Sequence, residues 1–452
     1  MMTPDFVDRE KYSREPLLVK LRRAVRGLTR RARAISCSLM KLMTLGFVGA
    51  AWACSALAQA AGTFGDDVTF LREHTALRVL QSADGRAQIA VAPAWQGRVM
   101  TSTAGGVAGN SYGWINYETV KRGIVPASDR QDLDQHIYVF GGEERLWLGP
   151  EGGQFAIFFK PGEKHYTFDN WHTPALVDTD PFEVTAATTD KISLRKSGVL
   201  HNNSGAEFSV RLERTVRLLD RAALGALLGA ALPENVSVVG YQTENSLINA
   251  GTNDWHAGTG ALSIWLLGML KHGPHTVVAI PVRAGEEKWL GPQANTDYFG
   301  AVGPDRLKLT PAALFFKADG NYRSKIGIPP KRCLPVCGSY DPDRRSLTLL
   351  QFNLPDDAAA LPYVKSQWKI HAQPYAGDVI NAYNDGAPEP GAKPLGPFYE
   401  IESSSPALPL KAGASLKHVQ RTIHLEGDAA QLAPIAKQVL GVELAEIQSA
   451  FP

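Results

Sequence analysis

The sequence contains few cysteines, and this scarcity restricts the metal and disulfide chemistry available to it. Of four cysteines in 452 residues, Cys37 and Cys54 fall within the first sixty, and only Cys333 and Cys337 follow. A structural zinc site needs four cysteine or histidine ligands, and no second pair at ligand spacing accompanies these two. In an oxidising compartment the segment "KRCLPVCGSYD" predicts a Cys333–Cys337 disulfide, and two reduced thiols are the alternative.

A long apolar segment is also missing. The run from Leu42 to Ala53 is too short to span a bilayer permanently. Basic residues precede it and Ala58-Gln59-Ala60 follows, which predicts a cleaved secretory leader over residues 1–60 and a periplasmic or secreted protein. Translation from Met40 would leave a leader of ordinary length. Two variants stay open: a twin-arginine signal at residues 30–31, and lipidation of Cys54, which would attach the chain to a membrane.

The chain lacks an excess of positive charge outside this leader. Residues 1–60 carry 11 Lys and Arg against 4 Asp and Glu, which leaves 36 basic and 41 acidic side chains in the remainder. A mildly acidic protein without a basic run has no electrostatic footprint for nucleic acid.

Helical patterns are few, and alternating apolar patterns dominate. In "EFSVRLERTVRL", residues 207–218, every second residue from Phe208 to Leu218 lies on one face, with Arg214 among the apolar ones. Helices are predicted for "RAALGALLGAAL" after Asp220 and for the C-terminal "DAAQLAPIAKQVLG", with Asp428 as N-cap and Gly441 as stop. We therefore expect an all-β fold, a large antiparallel β-sandwich with a few short helices. Residues 61–452 would form one domain that ends in a helix.

No phosphate-binding Walker loop occurs. Instead, four loop-like stretches are rich in aromatic, acidic and amide residues: "GNSYGWINYE", "VFGGEERLWLGPEGG", "FDNWHTP" and the pair "QPYAGDVINAYNDG" with "GPFYEIESSSPA". Aromatic faces stack on the C–H faces of a sugar, and polar groups bind its hydroxyls, so we expect a carbohydrate site. The candidate binding residues are Trp114, Asn116, Glu143, Glu144, Arg145, Trp147, His172, Asp378, Asn381, Asn384 and Asp385.

One of these stretches supports a specific geometric expectation. Gly141 and Gly142 precede the charged residues, and glycines there would let the backbone approach a ligand closely. Several carboxylates in one site need a cation among them, so we expect Arg145 to lie within ion-pair reach of Glu400, Glu402 or one of its own glutamate neighbours. The alternative is that residues 143–145 form a structural ion-pair network.

The segment "GPFYEIESSSPALPLKAGASLKHVQRTIHL" resembles the C-terminal signature of the aldose 1-epimerase, or galactose mutarotase-like, superfamily. "VFGGEERLWLGPEGG" and "GRVMTSTAGG" are similar to two further segments of that group. The overall pattern from residue 65 to 440 looks like an uncharacterised exported bacterial branch of it. The resemblance implies a galactose mutarotase-like sandwich with a sugar site on its concave face.

The same resemblance implies roles for particular residues. Mutarotation needs a base for the anomeric hydroxyl and an acid for the ring oxygen. The base of the superfamily matches Glu402, with Glu400 two residues away on the same face. Its histidine acid has no match in "TENSLINAGTNDWHAGTGALSIW", where His256 is the nearest candidate, and Phe140 replaces its binding histidine. We expect either a carbohydrate-active enzyme, of isomerase or another class, or a non-catalytic glycan-binding or envelope protein.

No cofactor is expected from these motifs, with one alternative. The residues Asp378, Asn381, Asn384 and Asp385 bring hard oxygen ligands together and are candidates for calcium binding. Their spacing is not that of an EF-hand, and "YNDG" is also an ordinary turn signal.

The leader generates a direct test. N-terminal sequencing of the protein recovered from the periplasm or medium should find a chain that begins near Ala61, because cleavage follows the small-residue box. A mature chain that begins at Met1 would contradict this prediction.

Overall fold

The structure is a computed structural model, and it describes residues 62–451. The leader, the arginine pair at residues 30–31 and Cys54 lie outside the described residues. The described residues fall in one compact unit. None of the helices in this part of the chain is long and apolar enough to cross a membrane.

Strands dominate the chain between residues 62 and 451. In chain order they are β1 (Arg78–Gln81), β2 (Gln88–Ala92), β3 (Arg98–Thr103), β4 (Arg145–Gly149), β5 (Glu183–Ala187), β6 (Lys191–His201), β7 (Glu207–Leu218), β8 (Ser237–Asn249), β9 (Ser263–Lys271), β10 (Val277–Pro281), β11 (Leu307–Leu309), β12 (Ala313–Lys317), β13 (Ser324–Ile328), β14 (Val336–Asp341), β15 (Ser346–Phe352), β16 (Ile380–Asn384), β17 (Phe398–Ser404) and β18 (Ser415–Glu426).

Helices are short and lie mostly in the connections. The α-helices are α1 (Phe64–His74), α2 (Tyr117–Arg122), α3 (Ala175–Asp178), α4 (Arg221–Leu228), α5 (Glu287–Leu290), α6 (Ala429–Leu440) and α7 (Leu444–Gln448). Short 3₁₀ helices cover Gly106–Ala108, Ala127–Asp129, Leu133–Gln135, Phe168–Asn170 and Ala358–Ala360.

The strands form one sheet of ten, one of five and one of three. The ten-stranded sheet has the order β11-β12-β10-β14-β15-β18-β8-β7-β6-β5, the five-stranded sheet β13-β16-β17-β9-β4, and the small sheet β1-β2-β3. All the pairings between these strands are antiparallel. The predicted all-β sandwich with a few short helices is therefore confirmed.

The two large sheets share a core, and helices cover the outer face of the larger one. Leu146 and Leu266 of the five-stranded sheet belong to the same buried cluster as Leu212 and Val216 of β7. A second cluster joins α4, α6 and α7 to outward-facing residues such as Ile423 of β18. The predicted C-terminal helix α6 is confirmed, with Asp428 as its N-cap and Gly441 as its C-cap.

The alternation in residues 207–218 predicted β7 with its bounds, whereas two other segments, whose apolar content is typical of strands, are irregular. The segments "HIYVF" and "GQFAIFFKP", residues 136–140 and 153–161, are not strands. Their apolar side chains are buried in irregular chain, where Phe158 stacks on Trp171 at 5.6 Å. Conversely, β16 and β17 lie in stretches that looked like loops, because their polar residues occupy a buried face of the sheet.

The predicted disulfide is not present in the structure. Cys333 and Cys337 are both free and buried, with Cys337 on β14 and Cys333 in the turn before it. The Cys333 thiol lies 3.3 Å from the carbonyl oxygen of Leu334. Burial raises the pKa of both thiols, which disfavours the thiolate that disulfide chemistry requires.

A polar layer crosses the core between the two large sheets. Arg214 of β7, whose side chain is fully buried, donates to Glu144 at 2.8 Å, to Asn245 at 2.6 Å and to the carbonyl oxygen of Gly97 at 3.0 Å. The second oxygen of Glu144 accepts from Gln420 at 2.8 Å. The pair is thus fully desolvated and fully hydrogen-bonded, which a buried pair requires.

The polar layer predicts that replacing a buried arginine lowers the free energy of unfolding more than replacing an exposed one. Arg214→Ala leaves Glu144 buried without its counter-charge, so we expect the free energy of unfolding to fall by about 3–5 kcal/mol. Arg195→Ala is the control, because Arg195 and Glu183 pair at 3.0 Å in largely exposed positions and such pairs contribute at most about 1 kcal/mol. Urea unfolding of both variants measures the difference, and equal losses would contradict the assignment.

Candidate functional site

One face of the five-stranded sheet carries polar and aromatic residues instead of apolar ones. The register pairs Arg145 with Leu267, Leu267 with Glu402, and Glu402 with Asn381 across four strands. Directly paired residues point to the same side, and every second residue along a strand does so as well. We call this side the polar face and define it by Arg145, Trp147, Trp265, Lys325, Glu400 and Glu402.

Glu402 of β17 is held firmly at the centre of the polar face. Its side chain is 0% exposed, and its two oxygens accept from the Lys325 ammonium at 3.0 and 3.1 Å. The indole N–H of Trp265 donates to Oε2 at 2.7 Å. Burial lowers the pKa of Lys325, but the charges of Glu402, Glu151 and Glu400 together with the hydrogen bond to Glu402 outweigh burial and raise the pKa above its usual value.

Glu400 lies two residues earlier on the same strand, and its ion-pair partner differs from that of Glu402. It forms an ion pair with Arg145. Burial nevertheless raises the pKa of Glu400 to about 8, against the opposing charge of Arg145. Glu402 raises it further, as a like charge and as a hydrogen-bond acceptor for the protonated Glu400 carboxyl group.

Aromatic rings line the charged pairs. The rings of Trp147 and Trp265 meet edge to face at 5.6 Å, and the Arg145 guanidinium lies 4.9 Å from the Trp147 ring centroid. Trp147 Nε1 and Arg145 Nε are buried and have no hydrogen-bond partner between residues 62 and 451. Unsatisfied buried donors are costly, and these two adjoin the carboxyl pair, although other buried donors, such as Trp171 Nε1 and Arg98 Nε, are also unpaired in this part of the chain.

Two connecting segments cover the polar face. The first segment contains Tyr298, whose ring centroid lies 5.4 Å from Lys325 Nζ. In the other, Trp368 donates to Glu151 at 3.1 Å. The segments join where Gln367 donates to Asp297 at 2.9 Å. Burial raises the pKa of Glu151, whose charge also interacts with Lys325.

Another carboxyl group, that of Asp378, is buried beside these two segments. Asp378 accepts from Asn295 at 2.9 Å and from the hydroxyl of Tyr298 at 2.8 Å, and burial raises the pKa of Asp378 to about 6. Asn381 also contacts the Tyr298 hydroxyl, at 3.1 Å. Gly327 makes the space, because a Cβ at this position would lie 2.2 Å from an Asp378 oxygen.

The structure brings several of the predicted site residues together. Arg145, Trp147, Glu400 and Glu402 share the polar face, and the expected contact between Arg145 and a glutamate is confirmed. Trp114 packs at 4.8 Å on Phe398, which precedes Glu400 by two residues on the same face. Asp378 and Asn381 connect to Lys325 through Tyr298. Whether any of these residues binds a ligand stays a prediction.

Glu143 and Glu144 were expected in the same pocket, and this was wrong. Both point toward the ten-stranded sheet: Glu143 contacts His424 at 2.7 Å and Ser102 at 2.8 Å, and Glu144 pairs with Arg214. The two glycines before them have φ of +88° and +118°. A Cβ at Gly141 would lie 2.2 Å from the Trp114 carbonyl oxygen, and one at Gly142 would lie 2.6 Å from the Arg98 side chain, so these glycines admit neighbouring protein atoms and not a ligand.

Three other predicted residues lie elsewhere. Asn116 is the N-cap of α2 and accepts from the amide of Thr119 at 3.1 Å. His172 bonds the carbonyl oxygen of Gln135 at 2.8 Å. His256, the proposed acid, is exposed in a turn, and no hydrogen bond or ion pair joins its side chain to the polar face within the described residues.

The four calcium candidates do not converge. Asn381 lies on the polar face, whereas Asn384 points to the opposite side and donates to Asp319 at 3.1 Å. Asp385 accepts from Tyr383 at 2.6 Å and from the amide of Gly396 at 2.9 Å. Their side chains satisfy separate parts of the fold, so the calcium interpretation is not supported by their geometry.

Lys325, Trp265 and Tyr298 were missed from the sequence. A lone lysine in the apolar strand "SKIGI" was the available signal, because a lysine is almost never buried unless it is paired. Trp265 lies in the apolar run "LSIWLLGML", a pattern that is typical of the core. Tyr298 lies in a segment that has no recognisable pattern.

Comparisons with known proteins describe what the chain resembles. Among solved structures, the Slr1438 protein of Synechocystis is 14% identical, with 78% of this chain and 96% of that chain covered and a TM-score of 0.44. A galactose mutarotase-like protein of Lactobacillus casei is 11% identical, with 78% and 100% covered and a TM-score of 0.41. A galactose mutarotase related enzyme of Lactobacillus acidophilus is 9% identical, with 77% and 97% covered and a TM-score of 0.41.

The last two belong by name to the group that the sequence resembles. Among curated proteins, none matches this chain. One family does match it: residues 62–451 match a family of unknown function, DUF6786. The chain therefore belongs to the DUF6786 family.

Proposed function

We propose that this chain is a carbohydrate-active protein that binds a sugar against the polar face and exchanges protons with it through Glu400 and Glu402. The carboxyl pair carries the proposal. Glu402 is paired with Lys325, whereas the pKa of Glu400 is raised to about 8 by burial. A carboxylate and a carboxylic acid two residues apart provide a proton acceptor and a proton donor at neutral pH.

Interconversion of the anomers of an aldose is the reaction that needs no more than this pair. A base removes the proton of the anomeric hydroxyl while an acid protonates the ring oxygen, and the ring opens and closes again. Glu402 is the residue that matches the base of the resembled superfamily. The exposed His256 is poorly placed to be the acid, and the protonated Glu400 supports the proposal because it offers an acid inside the polar face.

The walls of the site suit a sugar. The Trp147 and Trp265 rings offer apolar surfaces for C–H faces, and the unpaired Trp147 Nε1 and Arg145 Nε offer donors for oxygen atoms. Mostly aromatic walls with a few oriented polar groups are typical of small-molecule sites.

The location of the activity belongs to the same proposal. The leader pattern of residues 1–60 favours action in the periplasm or outside the cell.

A second candidate is a glycan-binding or envelope protein without catalysis. The observation that favours it is that both Glu402 oxygens are occupied by Lys325 and Trp265, which opposes direct attack on a ligand proton. Turnover distinguishes the two candidates, since a binder would be stabilised by a sugar without converting it.

The test uses the mature chain and a panel of mono- and oligosaccharides. We expect at least one sugar to raise the melting temperature, and polarimetry to detect faster anomer interconversion of an aldose in the presence of protein. Glu402→Gln should lower that rate about 10²–10⁴-fold, the contribution of a positioned acid or base. Glu183→Gln, on the exposed strand β5, is the control. A panel without any stabilising sugar would contradict the proposal.

A second test concerns Arg145. Arg145→Ala removes the cation beside Glu400, and we expect the affinity for the stabilising sugar to fall at least about tenfold, because a hydrogen bond to a charged group contributes about 1.5–3 kcal/mol. Arg145→Lys keeps the positive charge without the planar guanidinium group, and its affinity for the sugar should fall less than that of Arg145→Ala. Calorimetric titration measures both variants. An unchanged affinity in Arg145→Ala at preserved folding would exclude a ligand contact.

A further inference from the structure

The two carboxyl groups of the polar face differ in how firmly they are held. Glu402 is 0% exposed and has hydrogen bonds from Lys325 and Trp265 on its oxygens. The Glu400 side chain is 8% exposed, and Arg145 is the only donor group that contacts it within residues 62–451. Glu400 is therefore the less fully hydrogen-bonded member of the pair.

The contacts around Lys325 explain why Glu402 cannot easily turn toward a ligand. The ammonium lies 4.9 Å from the Trp265 ring centroid and 5.4 Å from that of Tyr298, while it bonds both Glu402 oxygens. Movement of Glu402 would separate a buried cation from its carboxylate, and such a separation is strongly unfavourable.

We infer that Glu400 is the acid of the proposed pair, which gives a proton to the ligand, and that Lys325 and Trp265 are positioning residues, which fix Glu402 so that its charge keeps Glu400 protonated. This inference deepens the proposed function and rests on it for the identity of the ligand. As an acid, Glu400 loses the proton from its O–H bond to a ligand oxygen, where a new O–H bond forms. The charge left on Glu400 is stabilised by Arg145, and the reverse transfer restores the acid.

The charges around Glu400 make the inference testable without a sugar. Lys325 and Arg145 lower the pKa of Glu400, and Glu402 raises it. Glu402→Gln should therefore shift the titration of Glu400 to lower pH, and Lys325→Met should shift it to higher pH, each by on the order of one unit. Lys325→Arg keeps the charge and is the control for the second variant.

The experiment is a pH titration of tryptophan emission in the full chain, because Trp147 and Trp265 adjoin the pair. We expect a transition near pH 8 in the natural protein that is lost in Glu400→Gln and displaced as described in the other variants. A transition that survives in Glu400→Gln, or that is lost in Glu402→Gln, would overturn the assignment. A natural protein without such a transition would do the same.

Thermal unfolding at different pH values tests the protonation of Glu400 independently. A carboxyl group whose folded pKa lies above its unfolded value binds more protons in the folded state between these values, so stability falls as the pH rises through this window. The melting temperature of Glu400→Gln relative to the natural protein should therefore increase from pH 5 to pH 9. A constant difference would count against the inference.

These outcomes separate the inference from the proposed function. If the titration behaves as expected and no sugar binds, the assignment of Glu400 stands and the ligand class is wrong. If a sugar binds and is converted, its conversion should decline above about pH 8 in the natural protein, as Glu400 loses its proton. A decline that persists in Glu400→Gln would assign the proton exchange to another group.

Discussion

The ion pair between Lys325 and Glu402 is the constraint on which the polar face depends. Both side chains are removed from water, and each would be strongly unfavourable without the other. The pair dictates the positions of Trp265 and Tyr298, whose rings adjoin the ammonium. It also places a fixed negative charge beside Glu400, so that burial and like-charge repulsion together keep a proton there.

Two buried arginine–glutamate pairs lie on opposite sides of the five-stranded sheet, and they differ in how completely the guanidinium group is hydrogen-bonded. Arg214 uses all three guanidinium nitrogens, on Gly97, Asn245 and Glu144. Arg145 bonds Glu400 through one nitrogen and leaves Nε without a partner among the described residues. The same holds for Nε of Arg98 and Arg306, which pair with Asp178 and Asp319. Under the proposed function, the unpaired Arg145 Nε would serve an acceptor on the ligand.

Sequence patterns predicted the parts of this architecture that depend on local alternation. The period of two in residues 207–218 predicted β7, and the spacing of Glu400 and Glu402 placed both on one face. The orientation of Glu143 and Glu144 could not be predicted, because the positive φ angles of Gly141 and Gly142 change which way the following side chains point. The roles of Lys325 and Tyr298 depend on contacts between distant segments, which leave no local pattern.

The cover over the polar face meets the groups below it through buried hydrogen bonds, of Tyr298 with Asp378 and of Trp368 with Glu151, and its two segments meet each other through weaker contacts. Tyr298 and Trp368 close the site from two segments that join through the Gln367–Asp297 hydrogen bond and an exposed Lys369–Asp297 pair at 3.4 Å. An exposed pair of this kind contributes at most about 1 kcal/mol, whereas breaking the buried Lys325–Glu402 pair costs about 3–5 kcal/mol. Under the proposed function, a ligand that reaches Glu400 would part the junction between the two segments more easily than it would rearrange the charges below them. The carboxyl pair would then keep its geometry while the junction opens.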